Sequence, residues 1–332
     1  MRAMVLERTA DVTTRPLRLV DSPAPEPGAG EILVRVRVCG VCRTDLHVIE
    51  GELPSRKLPL VPGHQVVGVV EALGPRAGRF ARGARVGIAW LRHACGVCEF
   101  CRTGRENLCK SSLYTGYHAD GGYAEYAVVP EAFAYAIPDT FCDTEAAPLL
   151  CAGIIGYRAL ALAEVPPGGT LALYGFGSSA HIVLQIALRR GHRVLVATRG
   201  ASHQRLALSM GAAWAGEATQ PLPEPAHSAI VFAPAGEIVP AALRSLTPGG
   251  TCALAGITMT PTPPLDYESC LFHEKKLRSV ESNTRADGEG LLREAAAAGV
   301  RPHTTSFALE EANQALARLK SDRIDGSAVL VI

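Results

Sequence analysis

The sequence predicts an α/β protein in two parts, a turn-rich β domain and a doubly wound parallel-sheet domain. Three observations predict it. From Gly169 onward, short apolar strands alternate with helices, the pattern of a parallel sheet built from βαβ units. The first half instead carries short β-branched runs punctuated by Gly and Pro. Finally, Gly175-Phe176-Gly177-Ser178-Ser179-Ala180 follows a strand and opens a helix, the context that a dinucleotide-binding turn requires.

The 332 residues allow about two domains. With 48% hydrophobic residues and a formal charge of +1, the chain can bury a sizeable core and stay soluble. It has no block of Lys and Arg, which argues against nucleic acid or an anionic membrane as the main partner. The apolar runs are broken by charge or Gly, so no transmembrane span is expected. Met1 to Leu6 is strand-like and lacks a signal-peptide profile. Ten cysteines in a chain this long do not make a small disulfide scaffold, and clustered cysteines in an intracellular protein read as metal ligands. A cytoplasmic protein is the expectation.

In chain order, Ile32 to Val38 alternates valines with Arg35 and Arg37, the period of a half-buried strand. Cys39-Gly40-Val41-Cys42-Arg43-Thr44-Asp45-Leu46-His47 follows, then Gly63-His64-Gln65. Thiolate with imidazole suits zinc, and a catalytic zinc takes three protein ligands and leaves one position open. Cys42 precedes a helical segment, Arg43 to Glu50, and a helix N-terminus favours the thiolate. The residues alone leave two other readings open: Cys39 and Cys42 as a redox pair, and His47 and His64 as ordinary polar residues. Gln65 to Val70 and Val86 to Trp90 are further strands.

Cys95, Cys98, Cys101 and Cys109 form C-x2-C-x2-C-x7-C. Four thiolates around one ion make a closed, structural zinc site. An iron–sulfur cluster uses related spacings, and free thiols are the third reading. Thr115 to Val129 returns to Gly-punctuated β-structure. Residues 143 to 164 are helical and apolar and include Cys151, by itself a buried small hydrophobe.

Thr170 to Tyr174 is a strand, and the glycine turn and a helix to Arg190 come next. The turn lets a pyrophosphate approach the helix N-terminus. Arg193 to Thr198, Ala229 to Phe232, Thr251 to Ala255 and Leu277 to Val280 are strands. Gln204 to Met210 and Glu237 to Leu246 are helices. The second strand ends at Thr198-Arg199-Gly200, where an acid would hold the ribose of NAD. An Arg there can pair with the 2′-phosphate of NADP, or be a solvated loop residue. From Asp287 come an Ala-rich helix, a helix Glu310 to Lys320, and a last strand Ala328 to Ile332.

The Cys-Gly-Val-Cys-Arg-Thr-Asp-Leu-His motif, the following Gly-His, the four-cysteine lobe, Gly-Gly-Tyr-Ala-Glu-Tyr and Leu-Leu-Cys-Ala-Gly occur in that order. In this the chain resembles the zinc-dependent alcohol dehydrogenases of the medium-chain dehydrogenase/reductase superfamily, in particular their bacterial and cinnamyl-alcohol-dehydrogenase-like members. The resemblance covers essentially the whole chain. It implies a GroES-like catalytic domain of residues 1–151 and 287–332, with a structural zinc lobe at 92–112, and a Rossmann domain inserted at 152–286. It implies two zinc ions, the catalytic one on Cys42, His64 and Cys151, with Cys39 not a ligand. Asp45 would hold the zinc-bound imidazole. Thr44 would accept the substrate proton and pass it through the cofactor ribose and His47 to solvent. Arg43 would contact the cofactor pyrophosphate beside Gly175, Gly177 and Ala180, with Thr198 and Arg199 next to them. Trp90 would line the substrate pocket.

Three residues depart from the family pattern. Gln65 stands where a Glu is usual, Ala180 replaces the third glycine, and Gly326-Ser327 lacks a cofactor-contacting Arg. The implied activity is hydride transfer between a small alcohol, aldehyde or ketone and NAD(P), with NADP(H) favoured, in a homodimer or homotetramer. Two other readings compete. A zinc-free quinone or enoyl reductase of the same superfamily is disfavoured by the Cys42, His64, Cys151 set. A non-enzymatic NADPH-binding protein is disfavoured by Thr44 and His47.

Overall fold

The computed structural model describes all 332 residues. Strands β1 (Arg2–Leu6) and β2 (Leu17–Asp21) pair antiparallel and lead into β3 (Glu31–Val41), eleven residues long. Its burial alternates as the sequence pattern predicts, with Val34, Val36 and Val38 inward and Arg35 and Arg37 in solvent. Helix α1 (Arg43–Glu50) begins two residues after β3 ends. Then follow β4 (Val66–Leu73), β5 (Arg85–Ile88), β6 (Leu91–His93), α2 (Glu99–Arg102), β7 (Leu113–Tyr114), β8 (Tyr126–Pro130) and β9 (Ala134–Ala136). β3 pairs antiparallel with both β4 and β8, and β5 joins β4 to β9. The short pair β6 and β7 brackets the four-cysteine lobe.

The stretch from Thr115 differs from expectation. It becomes a strand only at Tyr126, because its glycines are used for close backbone approach and not for a ladder. A Cβ at Gly121 would lie 1.9 Å from the Gly63 carbonyl oxygen, so only glycine fits where this loop crosses the one carrying His64.

Residues 143–162 form one long helical run: α3 (Asp143–Pro148), a π-helical turn (Leu149–Gly153) and α4 (Ile154–Leu162). By length and hydropathy this run alone could cross a membrane, but 61% of its apolar window is buried inside the protein. That is the burial of a core helix.

The next segment is the parallel sheet. Its strands are β10 (Thr170–Tyr174), β11 (Arg193–Ala197), β12 (Trp214–Gly216), β13 (Ala226–Val231), β14 (Leu246–Leu254) and β15 (Lys276–Ser279). Helices α5 (Ser178–Arg189), α6 (Ala201–Ser209), α7 (Val239–Arg244) and α8 (Tyr267–Cys270) lie between them in sequence. The strand order β12-β11-β10-β13-β14-β15, with every pair parallel, is that of a doubly wound dinucleotide-binding sheet. Several details differ from expectation. α6 starts three residues earlier than Gln204, after Gly200 at φ +83, the helix expected to reach Leu246 ends at Arg244 so that Leu246 opens β14, and the three-residue β12 and four-residue α8 carry too little pattern to be read.

The tail supplies α9 (Arg285–Ala298), β16 (Thr304–Ala308), α10 (Ala312–Lys320) and β17 (Ser327–Val331). β17 pairs antiparallel with β3, so the C-terminus completes the first sheet in the order β16-β17-β3-β4-β5-β9. By internal contacts the chain divides into two units. One comprises Met1–Ala152, Ser282–Ala296 and Arg301–Ile332, the other Gly153–Glu281 and Ala297–Val300. Each has its own apolar core, around Ile32, Val66 and Leu330 in the first and around Ala172, Ala229 and Leu243 in the second.

Candidate active site

α1 is short and starts on Cys42, which stands at its N-cap in extended conformation. The Asp45 carboxylate reaches back and accepts a hydrogen bond from the Cys42 backbone N–H at 2.9 Å through Oδ2. Its other oxygen, Oδ1, lies 3.2 Å from His64 Nδ1, an ion-pair contact without good hydrogen-bond alignment. Both side chains are about 1% exposed. One carboxylate therefore fixes both the residue that opens the helix and the imidazole 22 positions after that residue. His64 is delivered by Gly63, whose φ of +94 and contact with the Tyr123 ring exclude a side chain.

The third donor arrives from the π-helical turn, which contains Cys151. Cys42 Sγ lies 3.4 Å from His64 Nε2, His64 Nε2 3.3 Å from Cys151 Sγ, and the two sulfurs are 3.9 Å apart. Tetrahedral zinc with ordinary Zn–S and Zn–N bonds sets donor separations of about 3.6 Å for N to S and about 3.8 Å for S to S. The triangle fits such an ion from one side. Its charge balance also asks for a cation. Burial works against protonation of His64, yet the neighbouring Cys42 and Asp45 outweigh it and push the imidazole up to about 10. The contact with Cys151, added to burial, pushes the Cys42 thiol well above its usual range.

Cys39 belongs to neither donor group. It is fully buried in β3 with Sγ 3.6 Å from the Gly40 carbonyl oxygen, and burial raises its thiol strongly. Gln65 is 2% exposed, lies against Gly40, and its Nε2 has no partner. Trp90 meets His64 edge-on at 4.9 Å and stacks on Tyr114 at 4.9 Å and on Tyr117 at 5.7 Å. The Tyr117 hydroxyl donates to the Pro54 carbonyl at 2.7 Å, which ties this aromatic wall to the loop after α1. Sequence reading had Trp90 but not the two tyrosines, whose rings meet it only through the fold. Thr44 and His47 lie one helical turn apart on α1, both partly buried, and Arg43 is exposed and 3.9 Å from Asp322.

In the lobe, Cys95, Cys98, Cys101 and Cys109 bring four sulfurs within 4.8 Å of one another. Cys98 and Cys101 are 3.6 Å apart, and Cys95 and Cys101 3.9 Å. That is the span of a single tetrahedral ion; the irons and sulfides of a cluster would hold the sulfurs further apart. The N–H groups of Val97 and Cys98 face Cys95 and bring its thiol down to about 6, while burial and the other thiols push Cys101 to about 12. The lobe is anchored by Glu106, which takes the Arg285 guanidinium at 2.6 Å and the Arg285 backbone N–H at 2.8 Å.

The glycine turn after β10 has the form of a phosphate cradle. Gly175 stands at φ +88 against Ala233, and a Cβ at Gly177 would meet nothing within 4 Å. Gly177 caps α5 without a side-chain hydrogen bond, and Ala180 is fully buried in its first turn. The Thr198 hydroxyl accepts from the Phe176 N–H at 3.1 Å, so it holds this turn from below. Arg199 beside it is exposed and has no ion pair.

Comparison with known proteins agrees with these features. Residues 28–139 match the model of the alcohol dehydrogenase GroES-like domain. A probable alcohol dehydrogenase AdhA of Mycobacterium tuberculosis is 52% identical over 337 residues, covering 100% of this chain and 97% of that protein. A cinnamyl alcohol dehydrogenase from Sorghum bicolor superposes with a TM-score of 0.90 at 27% identity, over 99% of this chain and 97% of that one. A cobalt- and zinc-bound thermostable alcohol dehydrogenase from Pyrobaculum aerophilum gives 0.91 at 27% identity, over 100% and 99%. With relatedness along its full length, this chain is an oxidoreductase and belongs to the zinc-dependent alcohol dehydrogenase family of the medium-chain dehydrogenase/reductase superfamily.

Proposed function

We propose that this protein interconverts small primary or secondary alcohols with aldehydes or ketones, using zinc and a nicotinamide cofactor, with NADP(H) preferred. The observation that carries the reading is the three-donor triangle of Cys42, His64 and Cys151, of zinc dimensions. In this reading zinc supplies Lewis acidity at the alcohol or carbonyl oxygen, and the cofactor carries the hydride. The chain's residues do the rest. Asp45 orients His64, Thr44 accepts the hydroxyl proton, and His47 carries it toward solvent. Trp90, with Gln65 nearby, limits the pocket to modest substrates. Gly175, Gly177 and Ala180 admit the pyrophosphate, Arg43 is a cofactor contact, and Arg199 takes a 2′-phosphate. The four lobe cysteines hold a second, structural zinc.

The domain assignment that accompanies this reading is a catalytic part of 1–151 and 287–332 and a cofactor part of 152–286. Ten cysteines without a disulfide suit a reducing compartment, and we place the enzyme in the cytoplasm. The expected assembly is a homodimer or homotetramer. Metal analysis of the fresh enzyme, with a panel of alcohols and aldehydes under both cofactors, tests the reading. Two zinc ions per chain and turnover are expected. Iron, a single zinc, or no turnover with any substrate would overturn it.

A further inference from the structure

The unit that holds both metal groups also contains a cavity of about 410 Å³ away from their donors. It is walled by residues of β1, β2, β6 and β8 and by the loops at 57–61 and 119–121. None of Cys42, Thr44, His47, His64, Trp90 or Cys151 lines it. Much of the wall is apolar, from Val5, Val20, Leu60, Val61 and Ala127. Two ion pairs complete it, and they differ in quality. Lys57 Nζ donates to the Pro59 carbonyl at 2.9 Å and to Asp120 at 2.5 Å, and Asp120 also accepts from the Val61 N–H at 2.9 Å. That pair is satisfied. Arg92 is only 9% exposed, yet its Nη2 reaches Glu31 at 3.3 Å and its Nη1 the Val128 carbonyl at 3.5 Å. Charge-assisted N–H···O bonds ordinarily run to about 2.7–2.9 Å, and the Arg285–Glu106 pair of this protein reaches 2.6 Å. Glu31 is drawn elsewhere, since its Oε2 accepts from the Gly28 N–H at 3.0 Å. A guanidinium has five N–H donors, and a buried charge is costly unless it is paired. Burial accordingly lowers the Arg92 guanidinium from its usual value against the pull of Glu31 and Asp120. The cavity thus presents an apolar wall and a buried cation short of acceptors.

We propose that this cavity is a binding site, separate from the metal centre, for a small organic monocarboxylate with an apolar body. Its carboxylate would sit on Arg92, whose planar fork matches two carboxylate oxygens. Its hydrocarbon part would leave water against Val5, Val20 and Leu60. The volume falls in the range of small-molecule sites, about 300–1,000 Å³. The two acids select against other occupants. Glu31 and Asp120 repel a dianion such as phosphate, and both are already paired, so neither is left to receive an ammonium group. A neutral alcohol would leave the guanidinium as poorly satisfied as before.

The test is calorimetric titration of the full-length, zinc-loaded, cofactor-free enzyme with hexanoate, 1-hexanol, hexylamine and inorganic phosphate. Cys42→Ala removes a donor of the metal triangle and so separates this site from the metal. Hexanoate should bind Cys42→Ala as it binds the wild type. In that variant the other three compounds should bind at least about tenfold more weakly than hexanoate. Arg92→Met should weaken hexanoate at least about tenfold, the effect of losing a charge-assisted bond. That change also removes a buried ion pair, so Ser22→Phe serves as an independent block, filling the cavity from a half-buried position on its wall. It should abolish hexanoate binding and leave kcat/KM for alcohol oxidation at the wild-type value. Hexanoate binding that is lost in Cys42→Ala and kept in Ser22→Phe belongs to the metal and overturns the proposal. Phosphate or hexylamine binding Cys42→Ala as tightly as hexanoate, unchanged binding in both cavity variants, or no hexanoate binding to the wild type would overturn it as well.

Discussion

Asp45 uses its two oxygens on two members of the donor triangle, one on the Cys42 backbone and one on the His64 ring. Replacing it with Asn keeps the shape and removes the charge. Partners behind metal-binding histidines are typically worth 10- to 100-fold in metal affinity, so Asp45→Asn should lose about that much zinc affinity, measured by competition with a chelator. The His64 proton gives a pH dependence. Its pKa is raised from 6.5 to about 10 in the fold, so in metal-free protein this group contributes stability fully present below pH 6.5 and lost as pH rises through 10. Zinc has to displace the same proton, so its apparent affinity should climb over that window, with protons released into a weakly buffered solution. Titration with an indicator dye that registers no release near pH 8 would contradict this. Arg199 is the other single residue with a clear consequence. A charge-assisted bond to phosphate contributes roughly 1.5–3 kcal/mol, on the order of ten- to a hundredfold, so Arg199→Ala should impair NADPH far more than NADH. A wild type that prefers NADH would refute the assignment.

At the scale of elements, the π-helical turn between α3 and α4 matters most for the site. The run looks like an ordinary apolar helix in sequence, and a free cysteine inside it looks like core. A π turn carries one extra residue, and such turns cluster at functional sites because they re-aim side chains. Deleting Ala152, on the far side of Cys151, should let the turn relax to α-geometry, in which each residue advances the helix by about 100°. The geometry around Cys151 would then change, and metal content should fall from two ions per chain to one while circular dichroism stays close to wild type. Two ions in the deletion variant would mean that the turn is incidental. The four-cysteine lobe is the opposite case. Its spacing was legible because all four donors come from one short stretch, and the fold adds only the anchor of Glu106 on Arg285.

For the molecule as a whole, both metal groups lie in the unit formed by the first 152 residues and most of the tail, and the other unit contains neither. Cys98→Ser should therefore lose one zinc and destabilise the protein, since structural zinc contributes folding energy directly. Cys42→Ala should lose the other zinc and abolish turnover with the fold retained. In hydrogen exchange, Cys98→Ser should expose amides around 95–109 and leave β10 and β11 protected. Equal loss of protection in both places would show the units to unfold as one. The sequence by itself determined the parts that rest on local pattern. These are the alternating face of β3, the helix beginning at Arg43, the strand–turn–helix around Gly175, and the cysteine lobe, each encoded within about a dozen neighbouring residues. Family resemblance, not residue pattern, united Cys42, His64 and Cys151, because donors from separate segments have no fixed spacing. Tertiary structure alone decided the rest. The π turn carrying Cys151, the stacking of Tyr114 and Tyr117 on Trp90, and the return of β17 to β3 all depend on backbone turns and long-range packing. Such contacts leave no periodic trace in the chain, since each is fixed only when the core around it has closed.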